Sequence, residues 1–238
     1  THVAAWHFAP TERARQNLLR EGVPAARVVV TGNTIVDALQ QIAARLRKGA
    51  VRVLPAVPPE AMAGRRMLLV TGHRRESFGE GLRNICLALL EIVRRHEDVL
   101  VVYPVHLNPA VQQPVRTLLA DHPRILLTPP LDYLSFVDLM QRAHLVLTDS
   151  GGIQEEAPSL RLPVLVMRET SERPEGIEAG VAQLVGTRTD TIVAATERML
   201  TDHDAYEQMR ATRNPYGDGH AADAIVSHLE QALGTRVA

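Results

Sequence analysis

The sequence predicts an α/β fold, a Rossmann-like doubly wound parallel sheet. Two observations carry this. Short, continuous runs of Val, Leu and Ile recur along the chain, as in 67–71, 99–103, 145–148 and 163–167. Between them lie stretches whose apolar residues fall three and four apart, the spacing of one helix face. Strands apolar on both sides must be covered on both sides, and right-handed crossovers then produce a doubly wound sheet. A chain of 238 residues with 45% hydrophobic content has enough apolar mass for one or two domains.

Taken in order, residues 7–22 predict a helix capped near Thr11 and ending at Gly22. Val28-Val29-Val30 then reads as a strand closed by Gly32-Asn33. The span 34–48 is helical, with Ile35, Leu39, Ile42 and Leu46 on one face. Residues 49–64 are rich in Pro, Gly and Ala and read as a linker. Strands follow at 67–71, 99–103, 125–127, 145–148, 163–167 and 181–185. Helices are expected at 81–96, 109–120, 133–142, 153–160, 190–201, 204–212 and 222–233. One βα unit cannot bury its own faces. Residues 1–30 are therefore expected to be the last such unit of a separate α/β domain, residues 31–221 the main domain, and 222–238 a helix crossing back to the first. Such a crossing helix would leave an apolar patch, and a homodimer is the expected assembly.

Composition narrows the function classes. The formal net charge is −1 with no basic stripe, so nucleic acid is not an expected partner. No apolar run approaches the ~20 residues of a membrane span, so no membrane association is expected. Cys86, the single cysteine, rules out an internal disulfide and fits a reducing, cytoplasmic setting. The histidines lack metal-ligand spacing, and no G-x-G-x-x-G follows a strand. Neither a metal nor any other cofactor is expected.

In open parallel sheets, ligands bind beyond the carboxyl ends of the strands. The first such end carries "GHRRESFGEG", placing His73, Arg74, Arg75 and Glu76 before a helix start, where cations and the helix dipole favour an anion. Paired charges of this kind also occur on ordinary solvated loops. His106 and Asn108 follow the next strand, with Pro109 suited to a first helical position. Tyr133 and Phe136 lie beyond Pro129-Pro130 and suit either the core or a platform for a base. "TDSGGIQEE" is the most informative stretch. Its small residues allow close backbone approach, and the N–H groups of Ser150, Gly151 and Gly152, with the Ser150 hydroxyl, suit a phosphate. Glu156, one turn later, is placed to accept from ribose hydroxyls, although Glu155 and Glu156 could also serve the helix dipole. "RETSERPEG", 168–176, reads as a surface ion-pair loop that could face the same ligand.

Seven segments in order, "HFAPTERARQNLLREGV", "VTGNTIVDAL", "TGHRRESFGEGL", "HLNP", "LDYLSF", "TDSGGIQEEAPSL" and "RETSERPEG", resemble the non-hydrolysing bacterial UDP-N-acetylglucosamine 2-epimerases. The resemblance covers essentially the whole chain. It implies a GT-B architecture, with UDP-GlcNAc or UDP between two Rossmann-like domains, and conversion of UDP-GlcNAc to UDP-ManNAc by elimination and re-addition of UDP. It places catalytic His73 by the diphosphate and Ser150, Gly151 and Gly152 on the phosphates. Glu156 goes to the ribose, Phe136 near the uracil, Arg173 near the sugar-phosphate, and Arg75 and Glu76 among the UDP contacts. Arg74 and His106 match residues that hold a second, allosteric UDP-GlcNAc in some members. The acid/base carboxylates for C2 lie in that family's N-terminal domain, so this chain is expected to carry the UDP-binding half. A glycosyltransferase fragment and a non-catalytic UDP-binding module are the alternatives.

Overall fold

The computed structural model describes residues 3–51, 53 and 56–234; parts of the expected linker (49–64) and of the expected C-terminal segment (222–238) lie outside them, as do the first two residues. Among the described residues, two parallel sheets form. The small one pairs β1 (His7–Ala9) with β2 (Val28–Val30), His7 opposite Val28, and α1 (Glu12–Arg20) connects them. The Thr11 hydroxyl caps α1 by accepting from Ala14 N at 3.1 Å.

The large sheet has six strands: β3 (Arg66–Thr71), β4 (Val99–Pro104), β5 (Ile125–Thr128), β6 (Leu145–Thr148), β7 (Val164–Val166) and β8 (Ala182–Leu184). All neighbours are parallel, in the order β5-β4-β3-β6-β7-β8. The chain winds outward from β3 to β5, returns to β6 beside β3, and winds out the other way. That return is the switch point at which such sheets open a crevice.

Alternation along the strands fills both faces. Leu68, Val70, Val101, Leu145 and Leu147 point into one core with α4 (Glu80–Arg95), α5 (Pro109–Leu119) and α9 (Thr189–Thr201). Met67, Leu69, Leu100, Val102 and Val146 point into the other, against α2 (Thr34–Arg47) and α6 (Tyr133–Arg142). Each side chain removed from water in these layers contributes about 1.5–3 kcal/mol. Tyr206, on α10 (His203–Ala211), packs against the first core and donates to His144 O at 3.0 Å.

Three details differ from the sequence reading. A short helix, α3 (Pro59–Met62), sits inside the expected linker, and another, α8 (Pro174–Ala179), follows β7. Both begin on Pro, whose fixed φ suits a first turn, yet neither is long enough to show an apolar period. The helix expected from Ile153 is α7 (Gly151–Glu156), which starts two residues earlier and continues as a 3₁₀ turn over Ala157–Leu160.

The small sheet joins the large unit through a tight backbone contact. Asn33 N donates to Tyr216 O at 2.7 Å, and a Cβ on Gly32 would stand 3.3 Å from Gly217 Cα. Both glycines have positive φ, 89° and 138°, so side chains are excluded there on two counts. α11 (Ala221–Leu233) starts beside this joint. Buried Asp37 of α2 accepts from Ala221 N (3.2 Å) and Ala222 N (2.8 Å), pairing the orphan donors of α11 with a carboxylate. Farther along, His228 stands edge-on to Trp6 and Phe8, with ring centroids 6.2 and 5.6 Å away, so α11 covers the β1 end. Val30 and Val226 remain exposed nearby.

Asp37→Ala should therefore lower the free energy of unfolding by about 1.5–3 kcal/mol, the worth of hydrogen bonds to a charged group. Urea denaturation measures the loss. Hydrogen exchange should show the first turn of α11 opening before the six-stranded sheet.

Candidate anion site at the switch point

The carboxyl ends of β3 and β6 lie side by side, and their side chains tie the two loops together. Thr71 Oγ1 and Thr148 Oγ1 are 2.6 Å apart, and Thr148 Oγ1 also accepts from Ser150 N at 2.9 Å. The next residue, Asp149, is fully buried. Its Oδ2 accepts from the main-chain N–H groups of His73 (2.6 Å) and Arg74 (2.7 Å). Oδ1 lies 3.3 Å from His73 Nδ1 but out of alignment for a hydrogen bond, and it has no other donor among the described residues. Behind it, the buried Tyr103 hydroxyl donates to Gly72 O at 2.8 Å, closing the bottom of the turn.

α7 begins at this point. Among the described residues no side chain caps it, and the N–H groups of Gly151, Gly152 and Ile153 have no acceptor. Two guanidinium groups stand over them: a Cβ on Gly151 would lie 3.7 Å from Arg74 Nη2 and 4.0 Å from Arg173 Nη2. Each arginine is steered by a carboxylate that leaves part of its fork open. Arg74 Nη1 is 3.4 Å from Glu172 Oε1, and Arg173 Nε pairs with Glu155. The other oxygen of Glu155 accepts from Asn33 Nδ2 at 2.8 Å, while the Tyr216 hydroxyl donates to Arg173 O at 3.1 Å. Arg168, only 4% exposed, lies beneath this layer and binds Glu76 and Glu172. Its guanidinium holds the Glu172 carboxyl down at about 2, so Glu172 is ionised throughout the physiological range.

The His73 ring stacks on His106, centroids 5.4 Å apart and planes 13° from parallel. Both line a cleft of about 210 Å³ that also touches Gly72, Pro130, Leu131 and Ser150. One turn into α7, on the side of Gly152, buried Glu156 accepts from the Tyr133 hydroxyl at 2.6 Å, and burial raises its affinity for a proton. Orphan amides, a helix start and convergent cations together can seat a phosphate-type anion in the crevice. Among the described residues, no three His, Cys, Asp or Glu side chains gather as a metal site.

The structure brings His73, Arg74, His106, Ser150, Gly151, Gly152 and Arg173 to one edge of the sheet. One expectation needs correction: the Ser150 N–H is committed to Thr148, so the open amides are those of Gly151, Gly152 and Ile153. The reason is the Thr148 hydroxyl, which sits two residues back within reach of the Ser150 N–H. Glu76 faces Arg168, and Arg75 is exposed with no carboxylate partner among the described residues. Phe136 is half-buried against the second core. Sequence reasoning passed over Asp149, although a carboxylate between Thr and Ser at the end of an apolar run was itself a signal. Arg168, in a loop whose charge reads as surface, is buried.

Asp149→Ala leaves two N–H groups without their acceptor and should cost at least about 1.5–3 kcal/mol of stability. The urea midpoint measures this. A midpoint unchanged from the unmodified chain would mean that the loops hold each other by other contacts.

A family model described as UDP-N-acetylglucosamine 2-epimerase matches residues 1–230. The chain is 54% identical to UDP-N-acetylglucosamine 2-epimerase of Yersinia pestis over 231 residues, covering 96% of this chain and 61% of that protein. It is 49% identical to the Escherichia coli K12 protein of the same name over 235 residues, covering 96% and 61%. Among solved structures it resembles the Neisseria meningitidis UDP-GlcNAc 2-epimerase bound to UDP-GlcNAc (TM-score 0.86, 42% identity, 96% of this chain and 62% of that one). It also resembles the Staphylococcus aureus MnaA–UDP co-structure (TM-score 0.90, 38% identity, 99% and 63%). The chain thus spans about 61–62% of the length of the curated relatives it matches. With its parallel six-stranded sheet and this match along nearly all its length, the chain belongs to the UDP-N-acetylglucosamine 2-epimerase family.

Proposed function

We propose that this chain binds the UDP portion of UDP-N-acetylglucosamine and serves its 2-epimerisation to UDP-N-acetylmannosamine. The observation that carries the reading is the group of open amides of Gly151, Gly152 and Ile153 beneath Arg74 and Arg173, beside His73. The relatives from Neisseria meningitidis and Staphylococcus aureus, solved with UDP-GlcNAc and with UDP, support it.

In this reading the diphosphate lies across the start of α7, with the Ser150 hydroxyl as a further donor. Arg173 approaches the sugar-phosphate, His73 faces the β-phosphate, and Arg75 and Glu76 border the nucleotide. Glu156 accepts from the ribose, and Phe136 lies toward the uracil. Removal of the C2 proton and cleavage of the C1–O bond release UDP and leave a 2-acetamidoglucal. UDP then adds back at C1 while C2 receives a proton on the opposite face. The bond pair at C1–O leaves with the β-phosphate, so negative charge grows where the amides and cations already point. Each such pre-aimed donor is worth about 2.7–4 kcal/mol of barrier. Proton transfer at C2 is assigned to none of the residues described here. Arg74 and His106, the latter stacked on His73 in the cleft, are proposed to meet a second UDP-GlcNAc. The exposed Val30 and Val226 fit a homodimer contact.

Calorimetric titration tests the binding. The chain should take up UDP, and Gly151→Val should abolish binding by filling the space under the two arginines. Unchanged affinity in Gly151→Val would contradict the phosphate placement. Supplied with UDP-[2-³H]GlcNAc, the same chain should release little tritium to water, because it offers no assigned base for C2. Release at the rate of a working epimerase would place that base among these residues.

A further inference from the structure

Tyr133 stands at the first position of α6, and its first turn is fixed from below. Asp132 accepts from Ser135 N at 3.0 Å and from Ser135 Oγ at 2.8 Å. From this anchored turn the Tyr133 hydroxyl reaches α7 and donates to Glu156 Oε2 at 2.6 Å. Glu156 is 7% exposed. Burial raises its proton affinity, and the Tyr133 hydroxyl opposes that rise. Burial and the same carboxylate hold Tyr133 itself well above the usual phenol range, so its hydroxyl remains a donor. Oε1, the second oxygen, has no protein donor among the described residues. It lies toward Gly152, 3.6 Å from where a Cβ there would project.

Building on the UDP-binding reading, we propose that Tyr133 is a positioning residue that makes the site selective for a ribonucleotide: by occupying Oε2 it fixes the plane of the Glu156 carboxylate and presents Oε1 to a ribose hydroxyl. The chemistry favours such a division. A carboxylate held at one oxygen cannot rotate away, and its other oxygen, open to the crevice, loses a well-aligned donor when the ligand lacks the hydroxyl. Sites built around a buried polar group reject an analogue missing its partner far more strongly than apolar pockets reject a change of shape. Without the tyrosine hydroxyl, the carboxylate can turn, take water or a neighbouring donor, and accept either sugar.

Titrations of the unmodified chain and of Tyr133→Phe with UDP, 2′-deoxy-UDP and 3′-deoxy-UDP test this. Phe keeps the ring, so a purely packing or base-stacking role leaves discrimination intact. The unmodified chain should bind UDP at least about tenfold more tightly than one of the deoxy analogues, the factor expected for a hydrogen bond to a charged acceptor. In Tyr133→Phe that ratio should fall to within about twofold, chiefly through weaker UDP binding. A ratio unchanged by the substitution overturns the proposal. Two other failures also overturn it and are told apart from each other. Equal binding of all three ligands by the unmodified chain removes the ribose role of Glu156, and no binding of UDP at all removes the nucleotide reading beneath it.

Discussion

A single buried carboxylate holds the switch point together. Asp149 leaves the end of β6, but its oxygen is satisfied by the first two amides of the loop after β3, His73 and Arg74. A buried carboxyl group left without hydrogen-bond partners is costly, so the His73–Arg74 turn has little freedom to depart from this geometry. The same bond brings His73 Nδ1 to the second oxygen and sends the Arg74 side chain over Gly151. Sheet topology puts β3 beside β6, and Asp149 converts that adjacency into a site.

The charges around the site are layered in a consistent way. Arg168 lies deep and binds two glutamates, one of which, Glu172, reaches up to Arg74. Arg173 is tied through Glu155 to Asn33, and Asn33 N–H is held by Tyr216 O. Tyr216 also donates to Arg173 O and accepts from Gly176 N at 3.0 Å. The joint between the small sheet and the large unit is thus wired to one of the two cations above the open amides. Arginines held at one edge by a carboxylate keep their remaining donors aimed, which lowers the ordering cost of binding an anion.

Much of this was legible in the sequence because it follows from periodicity and from where strands end. The apolar runs at 67–71 and 145–148 located β3 and β6, and the residues just beyond them supplied His73, Arg74 and the Ser150–Gly152 turn. Capping was readable at Thr11, where a hydroxyl precedes a helical pattern. The remainder depends on contacts distant in sequence, which spacing does not encode. Asp149 acts on residues 76 and 75 positions away, and Asp37 caps a helix 184 positions away. Arg168 looked like a surface residue because its loop is full of charge; only the fold shows that its partners close over it. Gly151 is a poor helix former, so the pattern began the helix at Ile153, yet an anion-type start places glycines inside the first turn.

The open amides at the start of α7 carry the functional reading, and they can be observed one by one. In a ¹⁵N-labelled chain, addition of UDP is expected to shift the Gly151, Gly152 and Ile153 amide resonances strongly. Saturation should follow the same curve as the His73 ring signals. If UDP binds while those three amides stay in place and shifts appear elsewhere, the anion is not seated at the switch point.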